Sequence, residues 1–195
     1  MVLPSIERPK KLPVVLSRNE VRQLLKAPKL LKHRLVLAML YGCGLRSFEL
    51  CNLQLKDLDL ERKMLHVRQG KGRKDRYVPL CAMQVRGLRK YISAESPITW
   101  CFNGNDSEGN PVALSTTGVR WIVREARKHS GIQKEVTTHS LRHSYATHLL
   151  EMGLDIISVK DLLGHADIQT TLAYLHVAQL GRQRPFSPLE RLYNY

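Results

Sequence analysis

The chain has 195 residues and a formal net charge of +14, from 31 Lys and Arg against 17 Asp and Glu. With 43% hydrophobic and 25% charged residues it suits one globular domain plus a short appendage, and global disorder is excluded. The basic excess points to a polyanion, nucleic acid or an anionic membrane surface. No stretch approaches the ~18 uninterrupted apolar residues of a spanning helix, and the first residues open no signal-peptide core, so no membrane partner is expected.

Residues 1–16, with Pro4, Pro9, Pro13, Lys10 and Lys11, read as a basic, extended linker or arm. Ser17-Arg18-Asn19-Glu20 is a capping box, which predicts a short helix carrying Val21, Leu24 and Leu25 inward. The run from Leu30 to Tyr41 is apolar nearly all round, as a buried helix is, and Gly42-Cys43-Gly44 stops it. A short helix is expected from Arg46 to about Leu53. Alternation then predicts three short strands around Leu58/Leu60, Leu65/Val67 and Val78/Leu80, with turns at Glu61-Arg62-Lys63 and at Gly70–Asp75. Residues 103–111 read as a polar surface loop. Helical patterns return near 116–129, 140–151, 156–163 and 168–177, with Gly153 and Gly164 as stops. Ser187-Pro188-Leu189-Glu190 carries an N-cap, a proline and a glutamate in the order that opens one last short helix, within a tail spanning 178–195. Its apolar face, Leu189, Leu192 and Tyr193, suits either its own domain or a neighbouring protomer. The pattern describes a mainly α chain with a small three-stranded antiparallel β-sheet, an α+β fold.

Cys43, Cys51, Cys81 and Cys101 match neither a CxxC metal pair nor a disulfide framework, so they are read as reduced, mostly buried thiols of a cytoplasmic protein. Residues 61–76 hold seven basic side chains (Arg62, Lys63, Arg68, Lys71, Arg73, Lys74 and Arg76) against Glu61 and Asp75. Such a hairpin is either a solvated face or a phosphate-binding one, and the charge excess of the whole chain favours phosphate.

Arg46 follows the Gly42-Cys43-Gly44 break at a helix start, where backbone NH groups already favour an anion, and Glu49 lies one turn on, placed to hold that guanidinium. Taken singly, Arg46 fits a ligand role or a structural ion pair equally well. Lys71 stands between glycines in a turn that lacks GxxxxGK[ST] spacing, so it is no nucleotide P-loop. In His139-Ser140-Leu141-Arg142-His143, His139 and Arg142 share a helix face apart from the Leu141, Tyr145, Leu149 stripe. A zinc reading of His139, His143 and His148 lacks the glutamate of HExxH, and His143 reads as a core or helix-face histidine. His165 ends a helix, and Tyr174 follows nine residues on.

Together these blocks resemble the tyrosine recombinase (phage integrase) family, in its Xer-like and transposon-integrase branch. They are Tyr41-Gly42-Cys43-Gly44-Leu45-Arg46-Ser47-Phe48-Glu49-Leu50, Gly70-Lys71-Gly72-Arg73-Lys74-Asp75-Arg76-Tyr77-Val78-Pro79-Leu80, Thr138-His139-Ser140-Leu141-Arg142-His143 and Leu163-Gly164-His165 with Tyr174. The order is the family's, from Leu12 to about Val177. The resemblance implies the family's DNA breaking-rejoining fold and a catalytic domain over residues 17–195, with the separate N-terminal core-binding domain absent. It implies a site-specific DNA recombinase or integrase in which Tyr174 attacks the scissile phosphate to give a 3′-phosphotyrosyl intermediate. Arg46 and Arg142 would bind the non-bridging oxygens, His139 would serve as general base, His165 would donate to the phosphate, and Lys71 would protonate the leaving 5′ oxygen. Neither ATP nor metal is implied, and no cofactor is expected. Lys10, Lys11, Arg62, Lys63, Arg68, Arg73, Lys74 and Arg76 would contact double-stranded DNA, on which the protein would assemble as a homotetramer while monomeric when free. A basic DNA-binding module without strand exchange and a type IB topoisomerase-like nicking-resealing enzyme are the alternatives.

Overall fold

The computed structural model describes residues 13–68 and 75–179. Lys10 and Lys11, the hairpin tip with Lys71, Arg73 and Lys74, and the helix expected after Ser187 lie outside the described residues.

Helix α1 (Arg18–Lys26) starts at the capping box: Glu20 N donates to Ser17 Oγ at 3.2 Å, and Ser17 N donates to the Glu20 carboxylate at 2.6 Å. The apolar α2 (Leu31–Gly42) buries Leu35, Val36, Leu37, Met39 and Leu40, and it packs against α1 and four later helices. Its last turn leaves carbonyls without helical partners. Just before them, Ala38 O accepts from Gln84 Nε2 at 3.1 Å, a buried amide at the start of α4 (Ala82–Glu95). Helix α4 has no counterpart among the predicted elements. Its inward residues, Val85, Leu88 and Tyr91, form a narrow stripe, and its cap is Cys81, a residue type that announces no helix.

Between α2 and α4 stand the short α3 (Ser47–Cys51) and a meander of β1 (Leu58–Asp59), β2 (Met64–Val67) and β3 (Arg76–Pro79), antiparallel in the order β1-β2-β3. The register pairs Leu65 with Val78 and Val67 with Arg76. Leu65, Val67 and Val78 are buried, while the opposite face carries His66 stacked on Tyr77 with ring centroids 4.7 Å apart. Alternation therefore puts Arg76 on the covered face, where an apolar residue would ordinarily stand.

Residues 103–111, expected to be loop, instead form most of a second hairpin, β4 (Asn103–Asn105) and β5 (Pro111–Ala113). The turn is built by the Asp106 carboxylate, which accepts from Glu108 N and Asn110 N, and local turn chemistry outweighs the low strand propensity of Asn and Gly. Helix α5 (Thr116–Ser130) follows, then α6 (Thr138–Glu151), α7 (Ile156–Leu163) and α8 (Gln169–Gln179). Helix α6 is enclosed between the main core and a second apolar cluster of Tyr145, Ala146, Leu150, Val159, Leu163, Tyr174 and Ala178. The four cysteines are free thiols, Cys81 exposed and the others buried.

Arg76 and Glu49 join the sheet to the helices. Arg76 donates to both Glu49 carboxylate oxygens at 2.9 and 2.8 Å, and its Nε donates to Leu162 O near the end of α7 at 2.8 Å. Glu49 also accepts from the Arg46 backbone N at 2.9 Å, closing the first turn of α3. Burial alone would raise the Glu49 carboxyl, but the Arg76 hydrogen bonds and charge, the Arg46 backbone NH and the Arg142 charge overcome it and hold it at about 2. A buried pair of this kind is costly to break from one side, because the surviving charge stays uncompensated.

Two consequences can be measured. Gly44 has φ +58°, and a Cβ there would lie 2.5 Å from the Tyr145 ring. Gly44→Ala should therefore cost about 2–4 kcal/mol in urea unfolding. Because the folded Glu49 carboxyl lies below its ordinary 4.5, its stabilisation is complete above that value and disappears as pH falls towards 2. This amounts to about 3 kcal/mol. Unfolding free energies measured from pH 6 to pH 2.5 should fall steeply for the wild type and less steeply for Glu49→Gln, and equal slopes would contradict the assignment.

Candidate active site

Gly44 turns the chain in the left-handed region, and Arg46, in extended conformation, becomes the N-cap of α3. Its Nη1 donates to Glu49 Oε1 at 2.7 Å, so the carboxylate that closes the helix also orients the side chain. The Arg46 side chain keeps 23% exposure, against 4% for Arg142.

Arg142 comes from the second turn of α6, which Thr137 caps by accepting from Ser140 N at 3.2 Å. Its Nη1 donates to Gly44 O and its Nη2 to Leu163 O at 2.6 Å, and Nη1 lies 4.0 Å from Glu49 Oε2. One guanidinium thus gathers the α2–α3 connection and the end of α7. Burial, with Arg46 adding to it and Glu49 opposing, pushes Arg142 down to about 10, so it stays protonated at neutral pH.

Beyond α7, Gly164 takes φ +62°, and the chain turns through His165 into α8. His165 Nδ1 lies 2.9 Å from Thr171 Oγ1, and its ring centroid is 6.1 Å from that of Tyr174. Tyr174 is only 4% exposed. Burial raises its phenol, while Arg142 and Arg46 pull it back down, so both guanidinium charges reach the hydroxyl. Its direct partner is His143, with Nδ1 3.0 Å from Tyr174 Oη. His139 is exposed, and its ring centroid lies 6.4 Å from that of His143. Reading His143 as a core or helix-face residue overlooked this contact. The available signal was spacing, since His143 lies one turn beyond His139 on the same side of α6.

The expected DNA-binding cations divide. Arg62 and Lys63 are exposed. Arg68 is engaged with Asp57 at 2.7 Å and with Gln54 at 2.9 Å. Arg76 departs from the expectation of a DNA-facing cation: it is 8% exposed and its guanidinium is taken up by Glu49 and Leu162, so it lies beneath the site. A pocket of about 220 Å³ between α3 and the sheet, walled by Phe48, His66, Arg68 and Trp100, shares only Glu49 with this cluster. Among the described residues no three His, Cys, Asp or Glu side chains gather as metal ligands, and no helix is long and apolar enough to cross a membrane. His148 of the zinc reading instead meets Tyr41 Oη at 2.9 Å.

The chain has counterparts among known proteins. The chain is 40% identical over 191 residues to the putative integrase/recombinase y4qK of Sinorhizobium fredii, covering 98% of this chain and 61% of that protein. It is 42% identical over 171 residues to the tyrosine recombinase XerA of Thermococcus kodakarensis, covering 87% and 60%. The chain therefore spans about three fifths of these relatives' length. The crystal structure of a XerA recombinase superposes with TM-score 0.78 at 32% identity, over 93% of this chain and 68% of that one. A XerH site-specific recombinase bound to a palindromic difH substrate, in a post-cleavage complex, superposes with TM-score 0.73 at 26% identity, over 93% and 53%. The model of the phage integrase family matches residues 14–180, the stretch that holds every described residue of the Arg46, Arg142 and Tyr174 cluster, and the chain accordingly belongs to that family, with the catalytic-domain fold of the tyrosine recombinases.

Proposed function

We propose that the chain is the catalytic part of a site-specific DNA recombinase that cleaves and rejoins strands through Tyr174. The observation that carries this reading is the placement of the Tyr174 hydroxyl, buried at 4% exposure yet within reach of the Arg46 and Arg142 charges. A phenol ordinarily ionises near pH ~10, so attack near neutrality needs a positive field and a proton acceptor close by.

In the proposed reaction the scissile phosphate settles against Arg46 and Arg142, whose planar forks suit two non-bridging oxygens. Arg142 is already held by Gly44 O and Leu163 O, and Arg46 by Glu49, so little reorganisation is needed as charge builds on phosphorus. Tyr174 Oη attacks, the bond to the 5′ oxygen breaks, and a 3′-phosphotyrosyl linkage conserves the bond energy for rejoining. His165 donates to the phosphate, His139 stands on the solvent side as an acid–base group, and Lys71 protonates the leaving oxygen. Arg62, Lys63 and the hairpin cations track the backbone phosphates, which contribute affinity without sequence information. Four copies assemble on double-stranded DNA in the cytoplasm, and the free protein is a monomer.

The test is covalent capture. Random-sequence nicked duplexes are incubated with the protein, and denaturing gels are read for a DNA-linked band. Wild type should retain a subset of duplexes and Tyr174→Phe none. Arg142→Lys, which cannot reproduce the two-carbonyl anchorage, should slow adduct formation about 10²-fold. An adduct undiminished in Tyr174→Phe would overturn the assignment of the nucleophile.

A further inference from the structure

The reading above, on which the following rests, leaves open where the Tyr174 proton goes. The family resemblance points to His139, but His139 is exposed and its ring lies a full 6.4 Å from that of His143. The group in hydrogen-bond contact with the attacking atom is His143, with Nδ1 3.0 Å from Tyr174 Oη and ring centroids 5.3 Å apart. We propose that His143 is a catalytic residue, the base whose Nδ1 takes the phenolic proton as Tyr174 attacks phosphorus and returns it on rejoining.

The step balances without any further reagent. Oη forms its bond to phosphorus, the bond from phosphorus to the 5′ oxygen breaks, the phenolic proton passes to Nδ1, and the departing oxygen is protonated by the acid assigned to Lys71. On rejoining, the 5′ hydroxyl attacks, Oη leaves, and His143 gives back the same proton, as microscopic reversibility requires.

The surroundings support this role. His143 stands at i+4 from His139 and directly after Arg142, so the helix that fixes the phosphate-binding arginine also fixes the base. The titratable and charged groups around it are His139 and Arg142 on its own helix and Tyr174 on α8, with the His165 ring and the Arg46 charge in turn near Tyr174. Burial, His139 and Arg142 all push the imidazole below its ordinary value, so it is neutral at physiological pH and has a free lone pair to accept with. The same neighbours make the imidazolium a high-energy species, which favours return of the proton once the leaving strand attacks. A geometry within ~2.6–3.2 Å of the proton to be moved is the first requirement of a general base, and among the described histidines of the cluster His143 meets it towards Tyr174.

A merely structural contact is distinguished by His143→Asn. Asparagine can place an oxygen or amide near the Nδ1 position and keep a hydrogen bond to Tyr174, but it cannot take a proton. The probe is a duplex recovered by covalent capture on wild type and resynthesised with a bridging 5′-sulfur at the scissile position, whose departure needs no acid. Adduct formation should fall about 10²-fold or more in His143→Asn, and the loss of rate seen as wild type is taken to acid pH should disappear. His139→Asn should leave that acid limb in place. A His143→Asn rate within threefold of wild type, or a loss accompanied by an unchanged acid limb, would overturn the proposal. A second measurement needs no DNA. Nitrogen-15 spectra of the imidazoles in the full chain should show His143 Nδ1 unprotonated at neutral pH and shifted by Tyr174→Phe, and a protonated Nδ1 would overturn the proposal. Failure of wild type to capture any duplex would instead bring down the recombinase reading, and this proposal with it.

Discussion

The Glu49 carboxylate, buried and set among three guanidinium groups, is the constraint on which the rest of the site depends. It accepts from Arg76 through both oxygens, from the Arg46 side chain and backbone, and it sits 4.0 Å from Arg142. Each of those arginines belongs to a different element, so a single negative charge fixes the relation of β3, the start of α3 and α6. Without it, three like charges would repel in a medium that screens poorly. With it, Arg46 and Arg142, the two assigned to the phosphate in the proposed reaction, can stand side by side while Arg76 is neutralised below. The arrangement resembles second-sphere support at a metal centre, where partners behind the ligands fix their orientation.

The arginines are also secured by backbone. Arg142 bonds Gly44 O and Leu163 O, and Arg76 bonds Leu162 O, so two consecutive carbonyls at the end of α7 receive guanidinium donors. A helix C-terminus carries partial negative charge and free carbonyls, and here they are satisfied by the site's own cations. The same turn, at Gly164, starts the path to His165 and Tyr174. A shift of α7 would therefore move Arg142, Arg76 and Tyr174 together. This couples the second apolar cluster, which packs α6, α7 and α8, to the chemistry.

Much of this was legible in the sequence, for identifiable reasons. The capping box at Ser17 and Glu20 and the 30–41 run, apolar nearly all round, depend on local rules, and the structure follows both. The three strands followed from alternation. Helix α4 was not legible, because its stripe is narrow and Cys81 is an unusual cap, and the β4–β5 hairpin was hidden by polar composition. At the site, Arg46 and Glu49 are three residues apart, so their contact could be read from helical spacing. Arg76 could not be understood that way. It lies in a run of seven cations and looks like one more solvated charge, and only the pairing of Val67 with Arg76 shows which side of the sheet it occupies. His143 was obscured for a different reason: its partner Tyr174 is 31 residues away on another helix, and helical spacing shows only that it shares a side of α6 with His139.

The central claim is that this buried charge cluster serves one attack by one tyrosine. The most direct measurement is to digest the captured protein–DNA adduct and locate the nucleotide remnant by tandem mass spectrometry. The account predicts a phosphodiester-derived mass on the peptide containing Tyr174, carried by that side chain. A remnant on any other residue, with Tyr174 unmodified, would contradict it.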